Sequence, residues 1–163
     1  MKPENDAFPQ AQEIAQRVRS GEWRAVEVVQ DTLRHIHARN GEINAFTCVT
    51  EARALREAEA VDQKVARGED PGPLAGVPFA VKNLFDLQGE ITLAGSKINR
   101  KDALAVADAT AVRRLTAAGA VLVGALNMGE YAYDFTGENI HYGPSRNPHD
   151  RLRMTGGSSG GSG

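Results

Sequence analysis

At 163 residues, with 41% hydrophobic and 25% charged side chains, the chain is long enough to bury a core and too apolar for a disordered polymer. Its 19 basic and 21 acidic side chains leave a net charge of -2, so no basic surplus points to nucleic acid or to an anionic membrane surface. The first ten residues lack the apolar core of a signal peptide and no later run is long enough to cross a bilayer, so a cytoplasmic protein is expected.

Residues 11–39 predict two amphipathic helices. Ile14 and Val18 line the first; after a break at Ser20-Gly21, Val26, Val29, Leu33 and Ile36 recur at steps of three and four along the second. A short strand around 46–49 follows. It contains the single cysteine, Cys48, which has no disulfide partner and no obvious base nearby, and reads as buried core filler. A third helix over 51–67 places Leu55, Ala58, Val61 and Val65 on its inner face and stops at Gly68. Turn formers at 68–73 then give way to the compact apolar run 74–81, which suits a buried strand. A helix over 108–118, with Asp108 or Thr110 as N-cap and Gly119 as its stop, leads directly into a strand over 120–124. From 127 to 163 the chain reads mostly as loop, with turns at Gly143-Pro144 and Asn147-Pro148.

Two features carry chemistry. Lys82 follows the apolar run directly, and an ammonium at the end of a buried strand is partly desolvated, which disfavours its charge and lets it act as a base. The competing reading is a lysine that carries its charge out to solvent along its own stem. The second feature is the run Gly156-Gly-Ser-Ser-Gly-Gly-Ser-Gly163, whose glycines can hold a hydroxyl and backbone N–H groups in an exposed turn. The same run also reads as a flexible linker; it lacks the Gly-Lys-Ser/Thr ending of a phosphate-binding loop and matches a Gly-x-Ser-x-Gly elbow only loosely.

Taken together and in order, Val77-Pro-Phe-Ala-Val-Lys82-Asn, Ala94-Gly-Ser96, Asp108-Ala-Thr110, Ala117-Ala-Gly-Ala-Val-Leu-Val-Gly124, Asn127-Met128, Tyr142-Gly-Pro-Ser-Arg-Asn-Pro148 and Gly156-Gly-Ser-Ser-Gly-Gly-Ser162 resemble the amidase signature family. The resemblance implies an α/β fold, a mixed sheet flanked by helices, of which only the N-terminal part is present. A helical region at 1–70 would precede the truncated signature domain at 71–163. It also implies amide hydrolysis by a Ser, cis-Ser, Lys triad without cofactor or metal. Lys82 matches the triad lysine, and Ser158 matches the serine preceded by a cis peptide bond. The family's nucleophile lies in a second glycine-rich turn beyond the last residue here. Neither Ser159 nor Ser162 matches it, and the 163-residue chain alone is expected to be silent.

Within the family, Leu126-Asn-Met-Gly-Glu-Tyr-Ala-Tyr-Asp-Phe-Thr-Gly-Glu-Asn139 and Ala94-Gly-Ser-Lys-Ile-Asn-Arg100 look most like the 1-carboxybiuret hydrolases of cyanuric acid breakdown. That likeness implies a small linear amide or ureido substrate and a small helical partner subunit, with a homodimer as the other assembly. Tyr133, Asp134, Gly157 and Ser159 are the candidate substrate-binding residues, with Tyr131 also a candidate for the pocket. The alternatives are the glutaminase A subunit of glutamyl-tRNA(Gln) amidotransferase, a non-catalytic binding fragment, and a complete small domain with a linker-like tail. Among the four histidines, His35 and His37 point to different helix faces, while His141 and His149 sit in loops without a nearby cysteine or a paired carboxylate motif, so no metal site is expected.

Overall fold

The computed structural model describes residues 8–163. The reading of the first ten residues as lacking a signal peptide's apolar core therefore falls mostly outside the described residues. Helix α1 (Ala11–Arg19) buries Ile14, Ala15 and Val18; Glu13 in its first turn and Arg17 and Arg19 in its last complement the helix dipole. It ends at Ser20, where Gly21 takes a φ of 76°. Helix α2 (Ala25–Ile43) runs beyond the expected end near 39, because Gly41 does not stop it and Asn44 does, at a left-handed φ of 56°. Its inward stripe is Ala25, Val29, Leu33 and Ile36, which leaves Val26 on the flank, half-buried.

Strand β1 (Phe46–Val49) leads into helix α3 (Glu51–Ala66), whose buried residues are Ala54, Ala58 and Val61. The expected inner positions Leu55 and Val65 are only half-buried. The centre of the contact is a stripe of small side chains, which lets α3 lie close against the sheet. Strand β2 (Pro78–Lys82) is shorter than the apolar run 74–81. Ala75 and Val77 are buried all the same, in a turn rather than an extended strand, where the Leu74 and Gly76 amides donate to the Ala118 and Gly119 carbonyls.

Helix α4 (Thr110–Ala117) forms the crossover from β2 to strand β3 (Val121–Leu126), and the three strands pair in the order β1-β3-β2. β1 runs antiparallel to β3 and β2 parallel to it. Gly119 turns the chain between α4 and β3 at a φ of 93°, and a Cβ there would come within 2.2 Å of the Pro71 carbonyl oxygen. The α4 N-cap is Ala109, without a side-chain cap, and not the expected Asp108 or Thr110. Thr110 is the first helical residue. Asp108 is held elsewhere, by the Arg53 guanidinium of α3 and the backbone N–H of Gln88.

All six residues of β3 are buried, and they feed two cores. Val121 and Val123 join α1, α2 and α3 on one face, while Leu122 and Ala125 join Leu87 and Val112 of α4 on the other. The alternation slips by one between 123 and 125 because the register with β2 shifts between Phe79 and Ala80, which gives β3 one extra residue. The result is a mixed sheet with helices on both faces. Ala75, Val77, Val121 and Val123 share one cluster with the helices, and β1 completes the sheet. Among the described residues no helix is long and apolar enough to cross a membrane.

Candidate active site

β2 ends at Lys82, half-buried, and the next residue turns away under tight control. The Asn83 amide donates to the Leu126 carbonyl at 3.0 Å, and its buried side chain donates to Thr47 Oγ1 at 3.1 Å and accepts from the Gly95 amide at 2.9 Å. These bonds fix where the lysine stem leaves the sheet. Lys82 Nζ donates to Ser158 Oγ at 2.7 Å, and the Gly157-Ser158 peptide bond is cis. Among the described residues no carboxylate lies within ion-pair distance of this ammonium, and burial alone pushes its pKa below the ordinary lysine range.

The glycine-serine run is not a loose tail. The Gly129 amide donates to the Ser158 carbonyl at 3.0 Å, the Gly157 amide to the Phe135 carbonyl at 2.9 Å, and the Gly161 amide to the Asn127 carbonyl at 2.9 Å. Gly161 lies so close to the end of β1 that a Cβ there would stand 2.3 Å from the Ala45 carbonyl oxygen. The site is thus a turn pinned across the ends of β1 and β3, facing the lysine of β2.

Buried Asn83, Asn127 and Asn139, with half-buried Asn44, form the frame. Asn127 continues β3; its amide donates to the Ala45 carbonyl at 2.7 Å and its side chain to the Asn44 and Gly143 carbonyls at 3.2 and 3.0 Å. Asn44 in turn donates to the Tyr142 and Pro144 carbonyls at 2.8 and 3.1 Å, and its own carbonyl accepts from Ser145 Oγ at 3.2 Å. Asn139 donates to the Gly95 and Met128 carbonyls, both at 2.7 Å. Sequence reasoning quoted Asn83, Asn127 and Asn139 inside motifs without giving them roles and passed over Asn44. Asparagine in turn-rich sequence signals a loop, and only burial separates a frame from a surface.

Of the other expected site residues, Gly157 and Ser159 flank Ser158 and are exposed. Tyr133 is also exposed, at 91% of its surface, and Tyr131 at 54%. The Asp134 carboxylate accepts from Thr136 Oγ1 at 2.6 Å and from the Thr136 and Gly137 amides at 2.8 and 2.7 Å, which hold it below the usual carboxylate range. It orders the turn whose Phe135 carbonyl accepts from the Gly157 amide. In space His141 meets a carboxylate that no sequence motif marks: its Nε2 donates to Glu130 Oε1 at 2.8 Å, and Ser96 Oγ donates to the same oxygen at 2.7 Å. The two partners lie eleven residues apart in loop sequence, a spacing without periodic meaning. Cys48 packs against the second core but is half-buried, and it lines a cavity of about 250 Å³ with Thr47, Asn83, Phe85 and Ala125. Burial, with Glu90 beside it, pushes its thiol up to about 11. Among the described residues no three His, Cys, Asp or Glu side chains come together as a metal site.

The family described as Amidase matches residues 27–163. The subunit AtzE of 1-carboxybiuret hydrolase from Pseudomonas sp. (strain ADP) is 60% identical over 151 residues, 93% of this chain and 33% of that protein. The A subunit of glutamyl-tRNA(Gln) amidotransferase from Carboxydothermus hydrogenoformans is 45% identical over 152 residues, 93% of this chain and 31% of that protein. A chain solved in a vestigial protein complex that bears on the origins of an s-triazine catabolic enzyme superposes with a TM-score of 0.93 at 58% identity. That match covers 94% of this chain and 34% of that one. The peptide amidase of Stenotrophomonas maltophilia superposes with a TM-score of 0.87 at 30% identity, over 96% and 33% of the two chains. The chain spans about a third of the length of the curated relatives it matches. With its motifs in order, its mixed sheet and the match over residues 27–163, the chain belongs to the amidase family.

Proposed function

We propose that these residues supply the base and the proton-bridging serine of an amidohydrolase that acts on a small linear amide or ureide through a Ser/cis-Ser/Lys triad, with 1-carboxybiuret as the first substrate to test. The observation that carries this reading is the 2.7 Å contact between Lys82 Nζ and Ser158 Oγ, made by a lysine that burial inclines toward its neutral form. A neutral amine accepts the Ser158 hydroxyl proton while Ser158 takes one from the attacking serine, and the relay reverses to protonate the departing nitrogen. The attacking serine and the donors that stabilise the tetrahedral oxyanion belong, on this reading, to the part of the family's length that these residues do not span.

Gly157 and Ser159, exposed beside Ser158, are assigned to the substrate's near side, and Tyr133 to its outer wall. Asp134 contributes by ordering the turn beneath Gly157. A small helical partner subunit is part of the proposal, supported by the protein complex in which a similar chain was solved. The glutaminase reading is the rival, supported by amidotransferase A subunits at 44 to 49% identity. The 60% match supports testing the ureide ahead of glutamine.

The test is ammonia release by the protein expressed from its complete gene, with 1-carboxybiuret and with glutamine, beside Lys82→Ala. Release from the ureide that Lys82→Ala abolishes is the expected result. Release from glutamine alone assigns the amidotransferase role. A folded protein inert toward both is the non-catalytic binding fragment.

A further inference from the structure

Lys82 and Ser158 are 76 residues apart in sequence, and two sets of bonds hold them in register. The first is the sheet itself. The second leaves the lysine side at Asn83, whose carbonyl and side-chain oxygens accept from the Ala94 and Gly95 amides, both at 2.9 Å. It crosses to the serine side between residues 94–96 and 128–131, and ends at the Gly129 amide, which holds the Ser158 carbonyl at 3.0 Å. At the crossing, Asn139 joins the Gly95 and Met128 carbonyls, and the Tyr131 amide donates to the Ala94 carbonyl at 2.9 Å. Those bonds are neutral. Glu130 supplies a charged acceptor there, its carboxylate, on which Ser96 Oγ and His141 Nε2 converge at 2.7 and 2.8 Å. Ser96 is fully buried, and its hydroxyl also accepts from the Ile98 amide at 3.2 Å, so it has little freedom to turn elsewhere.

We infer that Glu130 is a positioning residue for the proton relay of the proposed hydrolase: by tying Ser96 and His141 to the segment that begins at Gly129, it holds Ser158 at hydrogen-bond distance from Lys82. Charge-assisted bonds are shorter and about twice as strong as neutral ones, so a carboxylate at this crossing stiffens it more than the amide bonds beside it do. Its backbone neighbour is the donor to Ser158. A small displacement of Glu130 therefore passes straight to the serine, and proton transfer depends steeply on donor-acceptor geometry.

The inference rests on the triad reading, and the experiment separates the two. Glu130→Ala, Glu130→Gln, Ser96→Ala and Lys82→Ala are made in the protein expressed from its complete gene, and kcat, KM and the melting temperature are measured with the ureide. The expected result is that Glu130→Ala lowers kcat about tenfold or more with KM within about threefold of wild type, since misplacement near the chemistry is costly. Ser96→Ala should follow in the same direction. Glu130→Gln should recover part of the loss, because its amide oxygen still accepts from Ser96. Wild-type kcat in Glu130→Ala and Ser96→Ala, with Lys82→Ala inactive, overturns the positioning role and leaves the triad reading standing. A loss that tracks melting temperature equally in the alanine and glutamine variants overturns it as well. An active Lys82→Ala overturns both.

Discussion

Replacing Arg53 with methionine keeps the side chain's reach and removes its charge from the junction of α3, β3 and the loop before α4. The guanidinium makes two bonds of 2.7 Å to Asp108 and one of 2.7 Å to Glu57, and the three side chains are 18%, 12% and 17% exposed. Breaking a fully buried ion pair costs about 3–5 kcal/mol, but here the two carboxylates lie at a rim and regain water, so about 2 kcal/mol is expected. Each carboxylate also holds a backbone amide: Asp108 accepts from Gln88 at 2.8 Å and Glu57 from Leu122 at 2.9 Å. Hydrogen exchange at these two amides reads the clamp locally, and about 2 kcal/mol corresponds to roughly thirtyfold faster exchange in Arg53→Met at pH 7. The sign with pH follows from Asp108, which Arg53 first, then the Gln88 amide, holds below the usual carboxylate range. A depressed carboxyl contributes stability above its unfolded pKa of about 4 and loses it as pH falls through the folded value, so the gap between wild type and variant narrows in acid. Exchange at Gln88 and Leu122 that stays within about threefold of wild type at pH 7 refutes the clamp.

In a pH–rate profile, activity should rise with pH through a limb below the ordinary lysine value of about 10.4, because the neutral amine is the active form and burial lowers the Lys82 pKa; a limb at or above that value removes Lys82 as the base. Cys48, with its thiol pushed up to about 11, should alkylate at pH 8 roughly a hundredfold more slowly in the native than in the unfolded protein; mass spectrometry of iodoacetamide-treated protein checks this, and equal rates contradict it. Gly161→Ala, whose new Cβ would stand 2.3 Å from the Ala45 carbonyl oxygen, should destabilise the fold by about 2 kcal/mol and lower the melting temperature. Gly41→Ala, with nothing within 4 Å of its Cβ and an interior place in α2, should instead raise the melting temperature by a small amount.

The helices were legible because an amphipathic stripe repeats: Ile14 and Val18, then Val29, Leu33 and Ile36, are buried as their spacing predicts. The reading failed where size mattered more than hydropathy. On α3 Ala58 and Val61 are buried as expected, but the pattern also favours Leu55 and Val65, whereas the third buried residue is Ala54, since close approach to the sheet is worth more there than bulk. Strand limits were misjudged for a different reason. The run 74–81 is apolar because no part of it is exposed, with 75–77 buried and the rest half-buried, but its first part turns to meet the end of α4 before pairing begins. Asp108 carries a capping signal, and a guanidinium 55 residues away in sequence takes its carboxylate instead. At the site, Lys82 and Ser158 could be named from motif order, whereas their 2.7 Å contact and the Glu130 cluster depend on loops that cross in space. Such partners leave no periodic trace in one sequence.

Residues 43–45 illustrate how unevenly this fold tolerates change in length. The Ile43 carbonyl takes the Arg146 amide at 2.8 Å, the Asn44 carbonyl takes Asn127 and Ser145, and the Ala45 carbonyl takes the Asn127 amide at 2.7 Å. A short link between a helix and an edge strand thus serves as the docking rail for the far loops. One residue inserted there would shift every acceptor by a step and turn the side chains of β1 over. Residues 101–104, by contrast, are exposed along their whole length. Insertions, tags and natural length variation belong at 101–104, and a chimera that joins this helical region to another amidase sheet should place its seam before α2 or after β1, with 43–45 carried intact.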